Sequence, residues 1–309
     1  MSNQEIKSPL VTVCIITYNS SEFIVEALDS VYEQTYQNIE LIVSDDCSKD
    51  STVEVCRKWI TEHVNRFVHA EVLTVEKNTG VSANGNRGIR KGTGVFVKPL
   101  AGDDKLLPTC IEDNINYMLE HKDADLLFSD MRVFGQGQDG TNIISPIAMF
   151  RYFTHYEFKL WNLVYSGLPA PACFMRREVY NRLGGYDETI AFMEDKPFWV
   201  KAIWAGCSIQ YLGKTTVQYR VNPNALSQTK KSSNYHKMTE SRIVASKYFL
   251  SKMREISWWL WQYGKSRYDK EFNPSIQTYG IYTLRFFNPY YYYLMYLFYK
   301  LRLFQKIKG

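Results

Sequence analysis

The segment Val95-Phe96-Val97-Lys98-Pro99-Leu100-Ala101-Gly102-Asp103-Asp104 constrains this chain most. A run of β-branched and aromatic residues, patterned as a buried strand, ends on two adjacent carboxylates. Charge at the end of a buried strand is costly unless something positive sits beside it, and a divalent cation suits paired aspartates. A second pair closes an earlier apolar run, Ile39-Glu40-Leu41-Ile42-Val43-Ser44-Asp45-Asp46, and a third, Glu194-Asp195, follows the turn Gly184-Gly185. Three acidic pairs at strand or loop ends point to one composite site.

The segments between them set the order of elements. Leu10 to Thr17 is apolar and bounded by Pro9 and Asn19-Ser20-Ser21, which predicts a buried parallel strand, a loop and a helix start. Phe23, Ala27, Leu28, Val31 and Tyr32 then share one helical face. A strand over Ile39–Ser44, a helix over Ser51–Val64, a strand over Ala70–Glu76, a helix over Val81–Lys91 and a strand over Gly94–Leu100 continue the alternation. This is the signature of a doubly wound parallel sheet, whose ligands bind beyond the carboxyl ends of the strands, where both aspartate pairs fall. Past Pro108 the pattern predicts a helix over Thr109–His121 and a strand over Asp125–Phe134, then an irregular stretch to Gly167. Helices over Arg177–Leu183 and Asp195–Ala205 follow, with strands near Ile209–Leu212 and Thr215–Arg220. That mixed order predicts a second lobe. The plan is one unit over residues 1–229, in halves of about 1–105 and 106–229, and a helical extension over 230–309.

Composition removes several classes. A hydrophobic content of 45% over 309 residues supports a full core. No stretch reaches the roughly 18 apolar residues of a membrane span, and the polar start Met1 to Pro9 is unlike a signal peptide, so a cytoplasmic chain is expected. Cys14, Cys47, Cys56, Cys110, Cys173 and Cys207 form no CxxC pair and read as reduced packing residues. The histidines have no metal-ligand spacing. Residues 230–309 carry 15 Lys/Arg against 4 Asp/Glu, whereas residues 1–229 carry 22 against 28. An acidic sheet half and a basic tail without a recognition motif argue against nucleic acid. Gly135-Gln136-Gly137-Gln138-Asp139-Gly140 is a literal GxGxxG, but Pro146 and polar residues follow it instead of a helix, so it reads as a loop.

As an ordered set, Thr17-Tyr18-Asn19, Asp45-Asp46-Cys47-Ser48, Asn78-Thr79-Gly80-Val81-Ser82-Ala83 with Asn86-Arg87-Gly88, and Ala101-Gly102-Asp103-Asp104 resemble the family 2 glycosyltransferases of the GT-A fold. Gly184-Gly185-Tyr186-Asp187-Glu188, Glu194-Asp195 and Tyr219-Arg220-Val221 extend the resemblance over residues 10–229. It implies an α/β fold with a GT-A type, Rossmann-like, mostly parallel sheet flanked by helices. It also implies transfer of a sugar from a nucleotide diphosphate donor, UDP favoured, to an acceptor hydroxyl with inversion. Carried over by position, Thr17, Tyr18, Asn19, Asn78, Gly80 and Asn86 would line the donor, and Asp45 or Asp46 would accept from a uracil-like N–H. Asp103 would fall at the second acidic place of the DxD motif and bind Mg²⁺ or Mn²⁺, with Asp104 beside it. Asp195 would be the general base and Glu194 its neighbour.

The chain departs from the family pattern at three places. Ala101 stands at the first acidic position of the DxD, Gly85 where an arginine commonly precedes the second asparagine, and Asn222 where a histidine often follows the Tyr-Arg pair. Read without the resemblance, Asp103-Asp104 and Asp195 are also helix caps, Asp45-Asp46 an Asx turn, and Gly184-Gly185 turn residues. Asp195 precedes Lys196-Pro197, so it belongs near a helix N-terminus, where the dipole favours its ionised form.

The tail admits two readings. Tyr290 to Phe304 holds only Lys300 and Arg302 among aromatic and aliphatic residues, and Lys306 and Lys308 follow. A basic aromatic helix of this kind suits a membrane interface; the other reading packs these aromatics onto the remainder of the chain or onto a second protomer in a homo-oligomer. Membrane attachment at the inner face of the cytoplasmic membrane would suit a saccharide acceptor carried on a lipid, as the resemblance implies. Two other functions compete with sugar transfer: a non-catalytic nucleotide-sugar-binding protein with an incomplete DxD, and a nucleotidyltransferase. The latter would want a glycine-rich basic loop after the first strand, and Tyr18-Asn19-Ser20-Ser21 offers none.

Overall fold

In the computed structural model, residues 8–165, 167–222, 235–272 and 288–297 are described. Their strands are β1 (Val11–Thr17), β2 (Ile39–Asp45), β3 (His69–Leu73), β4 (Phe96–Ala101), β5 (Lys105–Leu106), β6 (Leu126–Gly135), β7 (Ile143–Ile144), β8 (Cys173–Arg176) and β9 (Ile209–Val221). They form one sheet in the order β3-β2-β1-β4-β8-β6-β9-β5, with β7 paired to β6. The first four strands in that order run parallel, β8 is antiparallel to both β4 and β6, and β6 runs parallel to β9. The helices are α1 (Ile24–Tyr32), α2 (Thr52–His63), α3 (Val81–Lys91), α4 (Cys110–Glu120), α5 (Ile147–Tyr152), α6 (His155–Val164), α7 (Arg177–Arg182), α8 (Asp195–Trp204), α9 (Tyr235–Ile256) and α10 (Trp258–Phe272). A last helical stretch covers 289–297.

Period-two alternation divides the strand residues between two cores. Val11, Val13 and Ile15 of β1 face α1, α2 and α4, whereas Cys14 faces the other layer with Ile89, Phe128 and Tyr180. Phe249 and Met253 of α9, Leu260 of α10, and Leu294 and Leu297 of the last helix belong to that second core. The described part of the tail therefore packs onto the sheet unit, as the second reading of the tail expects. Lys300 and the residues after it lie outside the described residues. Helix α3 lies close on β1 and β2: a Cβ on Gly88 would collide with Cys14 Sγ and sit 3.0 Å from Ser44 Cβ.

Several expectations change. The strands of both halves share one sheet. β9 is continuous where two strands were expected; Gly213 takes φ 73°, and the pairing with β6 shifts register between Phe128 and Met131. The stretch read as irregular contains β7, α5 and α6. Asp103-Asp104 leads into the short strand β5 and caps no helix. The GxGxxG segment is a turn with positive φ at Gly135, Gly137 and Gly140, in keeping with its reading as a loop.

Helix α6 starts with a reciprocal cap: Glu157 N donates to Thr154 Oγ1 at 3.2 Å and Thr154 N donates to Glu157 Oε2 at 2.7 Å. Thr154→Ala removes one half of this box and should lower stability by about 1 kcal/mol. Urea denaturation should show an earlier midpoint with an unchanged slope.

Candidate active site

Register brings the first candidates to one level. Thr17 pairs with Asp45 and Ile16 with Ala101, so the carboxyl ends of β1, β2 and β4 share one edge of the sheet. Gly102 N donates to Ile16 O at 2.9 Å, and Asp46 N donates to Thr17 O at 3.0 Å. A Cβ on Gly102 would stand 2.9 Å from Thr17 Oγ1, a buried hydroxyl without a hydrogen-bond partner. Tyr18 is exposed. Asn19 takes the left-handed conformation, φ 51°; its N–H donates to Ser48 Oγ and its Oδ1 accepts from Lys49 N, both at 2.8 Å. The loops after β1 and β2 are thereby joined.

Asp45 and Asp46 are fully buried and surrounded by donors. Asp45 accepts from Ser48 N at 2.9 Å, from Ser48 Oγ and from Thr74 Oγ1 at 3.3 Å, the turn geometry of the structural alternative. Asp46 accepts from Thr79 N at 3.0 Å, Thr79 Oγ1 at 2.6 Å, Gly80 N at 2.7 Å and Arg87 at 3.3 Å. Its acceptor capacity is taken, whereas Asp45 Oδ1 keeps a lone pair beyond its bond to Ser48. Asn78 Nδ2 donates to Asp46 O at 3.2 Å, and Asn78 Oδ1 is buried with no hydrogen-bond partner.

The contacts of Asp46 continue to the third acidic pair. Gly80 takes φ 92° and packs against Ala191, whose O would be 2.5 Å from an added Cβ. Ser82 N donates to Ala191 O at 3.1 Å, and Ser82 Oγ donates to Ile190 O at 2.6 Å. The first turn of α3 thus holds the segment that leads directly into Glu194-Asp195. Asn86, one turn further along α3, is bracketed elsewhere. Its Oδ1 accepts from Tyr180 Oη and from Tyr186 N at 2.9 Å, and its Nδ2 donates to Tyr186 O at 3.0 Å and Glu188 at 2.7 Å. With those bonds made, Asn86 holds the turn Gly184 to Glu188.

Asp195 begins α8, and its Oδ1 accepts from Lys196 N at 2.6 Å. The helix N-terminus is where the sequence put it, but its dipole does not dominate. Burial raises the Asp195 carboxyl above its ordinary value, and the Lys196 N–H and charge offset this only in part. Burial, then the charge on Asp195, push Glu194 up to about 8. The pair therefore holds on to a proton at a pH where isolated carboxyls would have released it.

Asp103 is part-buried and Asp104 almost wholly buried. Burial raises both carboxyls, with the Asp103 charge adding to the rise at Asp104. Asp104 Oδ1 accepts from Arg220 N at 2.9 Å, while Arg220 Nε donates to the backbone oxygen of Asp103 at 2.8 Å. The Arg220 guanidinium lies 4.6 Å from the Phe23 ring and 4.4 Å from Phe134, and pairs with Glu26 at 2.8 Å. Among the described residues no three His, Cys, Asp or Glu side chains gather into a metal cage. The Arg220 charge acts on the Asp103 carboxylate, and one hard oxygen ligand there fits Mg²⁺ or Mn²⁺ when substrate phosphates complete the shell.

Sequence reading did not single out Lys98 or the clamping role of Arg220. Lys98 is fully buried, donates to Pro171 O and to Cys173 O at 3.1 Å, and has its pKa lowered by burial. A lysine inside an otherwise apolar strand leading to acids was the available signal.

Comparison with known proteins bears on both family and fold. The family model described as Glycosyl transferase family 2 matches residues 12–184. The protein named "Putative teichuronic acid biosynthesis glycosyltransferase TuaG" of Bacillus subtilis is 26% identical over 222 residues, covering 72% of this chain and 83% of that protein. Among solved structures, TarS 1-349 of S. aureus in complex with UDP-GlcNAc superposes with a TM-score of 0.61 at 21% identity, over 79% of this chain and 66% of that one. The mannosyltransferase PcManGT of Pyrobaculum calidifontis, in complex with GDP-Man and Mn²⁺, gives a TM-score of 0.53 at 20% identity over 81% and 65%. This chain thus spans just under two thirds of each of those two solved chains. At these identities the likeness concerns the fold, which is the GT-A type.

The raised Glu194 value has a consequence for stability. Between the ordinary value of 4.5 and about 8, the native state holds a proton that the unfolded chain has released, so stability falls as pH rises through that window. Glu194→Gln should raise the melting temperature near pH 8 and change it little below about pH 5, as thermal melts at the two pH values would show.

Proposed function

The chain belongs to glycosyl transferase family 2, and from that premise we propose an inverting, metal-dependent glycosyltransferase that uses a nucleotide diphosphate sugar, UDP favoured, as donor. The acceptor is the hydroxyl of a saccharide or lipid-linked saccharide, in the synthesis of a surface polysaccharide or glycolipid. The observation that supports this reading is the run of contacts from Asp46 through Gly80 and Ser82 to Ala191. It couples the strand ends bearing the donor candidates to the loop bearing Asp195.

In this reading the donor lies across the ends of β1, β2 and β4, with the base near the free lone pair of Asp45 and the diphosphate near Asp103. Asp103 would hold Mg²⁺ or Mn²⁺ against the diphosphate, where the cation neutralises charge on the leaving group. Arg220 holds the backbone turn that presents Asp103. Asp195 takes the proton from the acceptor hydroxyl as its oxygen bonds to the anomeric carbon and the bond to the phosphate oxygen breaks on the opposite face. Glu194, whose carboxyl burial holds up to about 8, would spare Asp195 a second negative charge beside it.

Three measurements test the proposal. Asp195→Asn should lower kcat by about 10²- to 10⁴-fold while calorimetry shows donor affinity nearly unchanged; an active variant removes the base assignment. A donor screen should release UDP in preference to GDP or dTDP, and only with Mn²⁺ or Mg²⁺ present. Metal-independent release would remove the cation, and no release with any donor would favour a non-catalytic binder. Ala101→Asp, which restores the first acidic place, should lower the Mn²⁺ concentration needed for half-maximal rate by severalfold.

A further inference from the structure

We propose that helix α9 of the C-terminal extension positions the base, with Ser241 as the positioning residue. Met238, Ser241, Ala245, Phe249 and Met253 recur at i, i+3, i+7, i+11 and i+15 and are all buried, so they form the stripe by which α9 meets the rest of the chain. A hydroxyl inside such a stripe is costly unless it is bonded. Ser241 Oγ accepts from Phe192 N at 3.0 Å, and Phe192 lies three residues before Asp195. The same stripe makes a second contact just past Asp195: Lys196 Nζ stands 4.4 Å from the centre of the Phe249 ring and donates to Val164 O at 3.4 Å. Helix α9 thus touches the backbone before Asp195 and the side chain after it.

The peptide unit between Ala191 and Phe192 is held at both poles. Its oxygen accepts from Ser82 N of α3 at 3.1 Å, and its N–H donates to Ser241 Oγ of α9 at 3.0 Å. A planar peptide bonded at both ends cannot rotate without losing a partner, so the direction in which the chain enters residues 193–195 is fixed. Ser82 alone would leave that plane free to turn about its oxygen. A carboxylate that takes a proton from a hydroxyl must stay within hydrogen-bond reach, and a displacement of about 1 Å costs on the order of a hundredfold in rate. The inference rests on the reading of Asp195 as the base, and it gives the C-terminal extension a part in the reaction. Ser246, buried on the same helix, offers a contrast: its Oγ donates to Ile243 O at 2.7 Å, within α9 itself.

The test compares Ser241→Ala with Ser246→Ala in the full-length protein, with circular dichroism checking that both are folded. In Ser241→Ala the Phe192 amide loses its acceptor, so hydrogen exchange followed by mass spectrometry should be about tenfold faster over residues 189–196. Its kcat should fall roughly tenfold while the KM for the donor stays unchanged, because the ends of β1, β2 and β4 are untouched. Ser246→Ala should keep wild-type exchange in that segment and wild-type kcat. Wild-type exchange over 189–196 in Ser241→Ala, or an equal loss of kcat in both variants, overturns the proposal. Asp195→Asn, assayed beside them, separates this inference from the reading beneath it. If Asp195→Asn is inactive while Ser241→Ala turns over at the wild-type rate, α9 has no positioning role and the base assignment stands. If Asp195→Asn is active, the base assignment falls and this inference with it.

Discussion

The carboxylate of Asp46 is the interaction on which the rest of the site depends. It directly follows the second strand, yet its bonds run to Thr79 and Gly80 just before the third helix and to Arg87 within it. An ionised acceptor at a helix N-terminus satisfies amides that have no partner inside the helix and meets the positive end of its dipole. With that turn fixed, the amide and hydroxyl of Ser82 have a defined direction, and both bind the backbone of residues 190 and 191. A buried carboxylate thus spans two distant stretches of chain, and its satisfaction by protein donors is what makes its burial tolerable.

The three acidic pairs differ in how they are compensated. Asp46 is ringed by donors, and Asp45 accepts from Ser48 and Thr74. Asp103 and Asp104, and Glu194 with Asp195, are left with few donors and with carboxyls raised by burial. Groups of the first kind complete the architecture. Groups of the second kind carry an unmet demand for positive charge or for a proton, which is why they are the residues proposed for metal binding and proton transfer.

Most of the sheet unit was legible because its strands and helices carry their own periodicity. Helix α3 has the expected bounds, Val81–Lys91, since Gly80 and Gly92 flank it. The failures have a physical cause. β5 is two residues long and β8 four, so neither can display alternation, and both exist because β9 and β4 offer them partners. β9 read as two strands because Gly213 interrupts the pattern, although the backbone passes through that glycine without leaving the sheet. The cap of α6 was readable as Thr154-x-x-Glu157 and was the signal for order in a stretch that looked irregular. The chemistry of Asp195 was half legible: its place at a helix start follows from Pro197, but burial outweighs a dipole effect of about 1 kcal/mol, and burial is a tertiary property.

Gly85, one of the departures from the family pattern, has a structural reason of its own. A Cβ there would lie 2.9 Å from the ring of Tyr186, so α3 approaches the Gly184 to Glu188 turn more closely than any side chain at that position would permit. The approach lets Asn86 reach both the N–H and the oxygen of Tyr186, and leaves the Tyr186 ring against Tyr180 and Phe198. Phe198 belongs to α8, the helix that Asp195 begins. An arginine at residue 85 would have to displace that ring, and with it the support behind α8. Glycine at residue 85 thus allows close packing against the Tyr186 ring behind the proposed base. With Ala101 lacking a carboxylate, the proposed donor site would depend on Asp103 and the backbone turn that Arg220 holds.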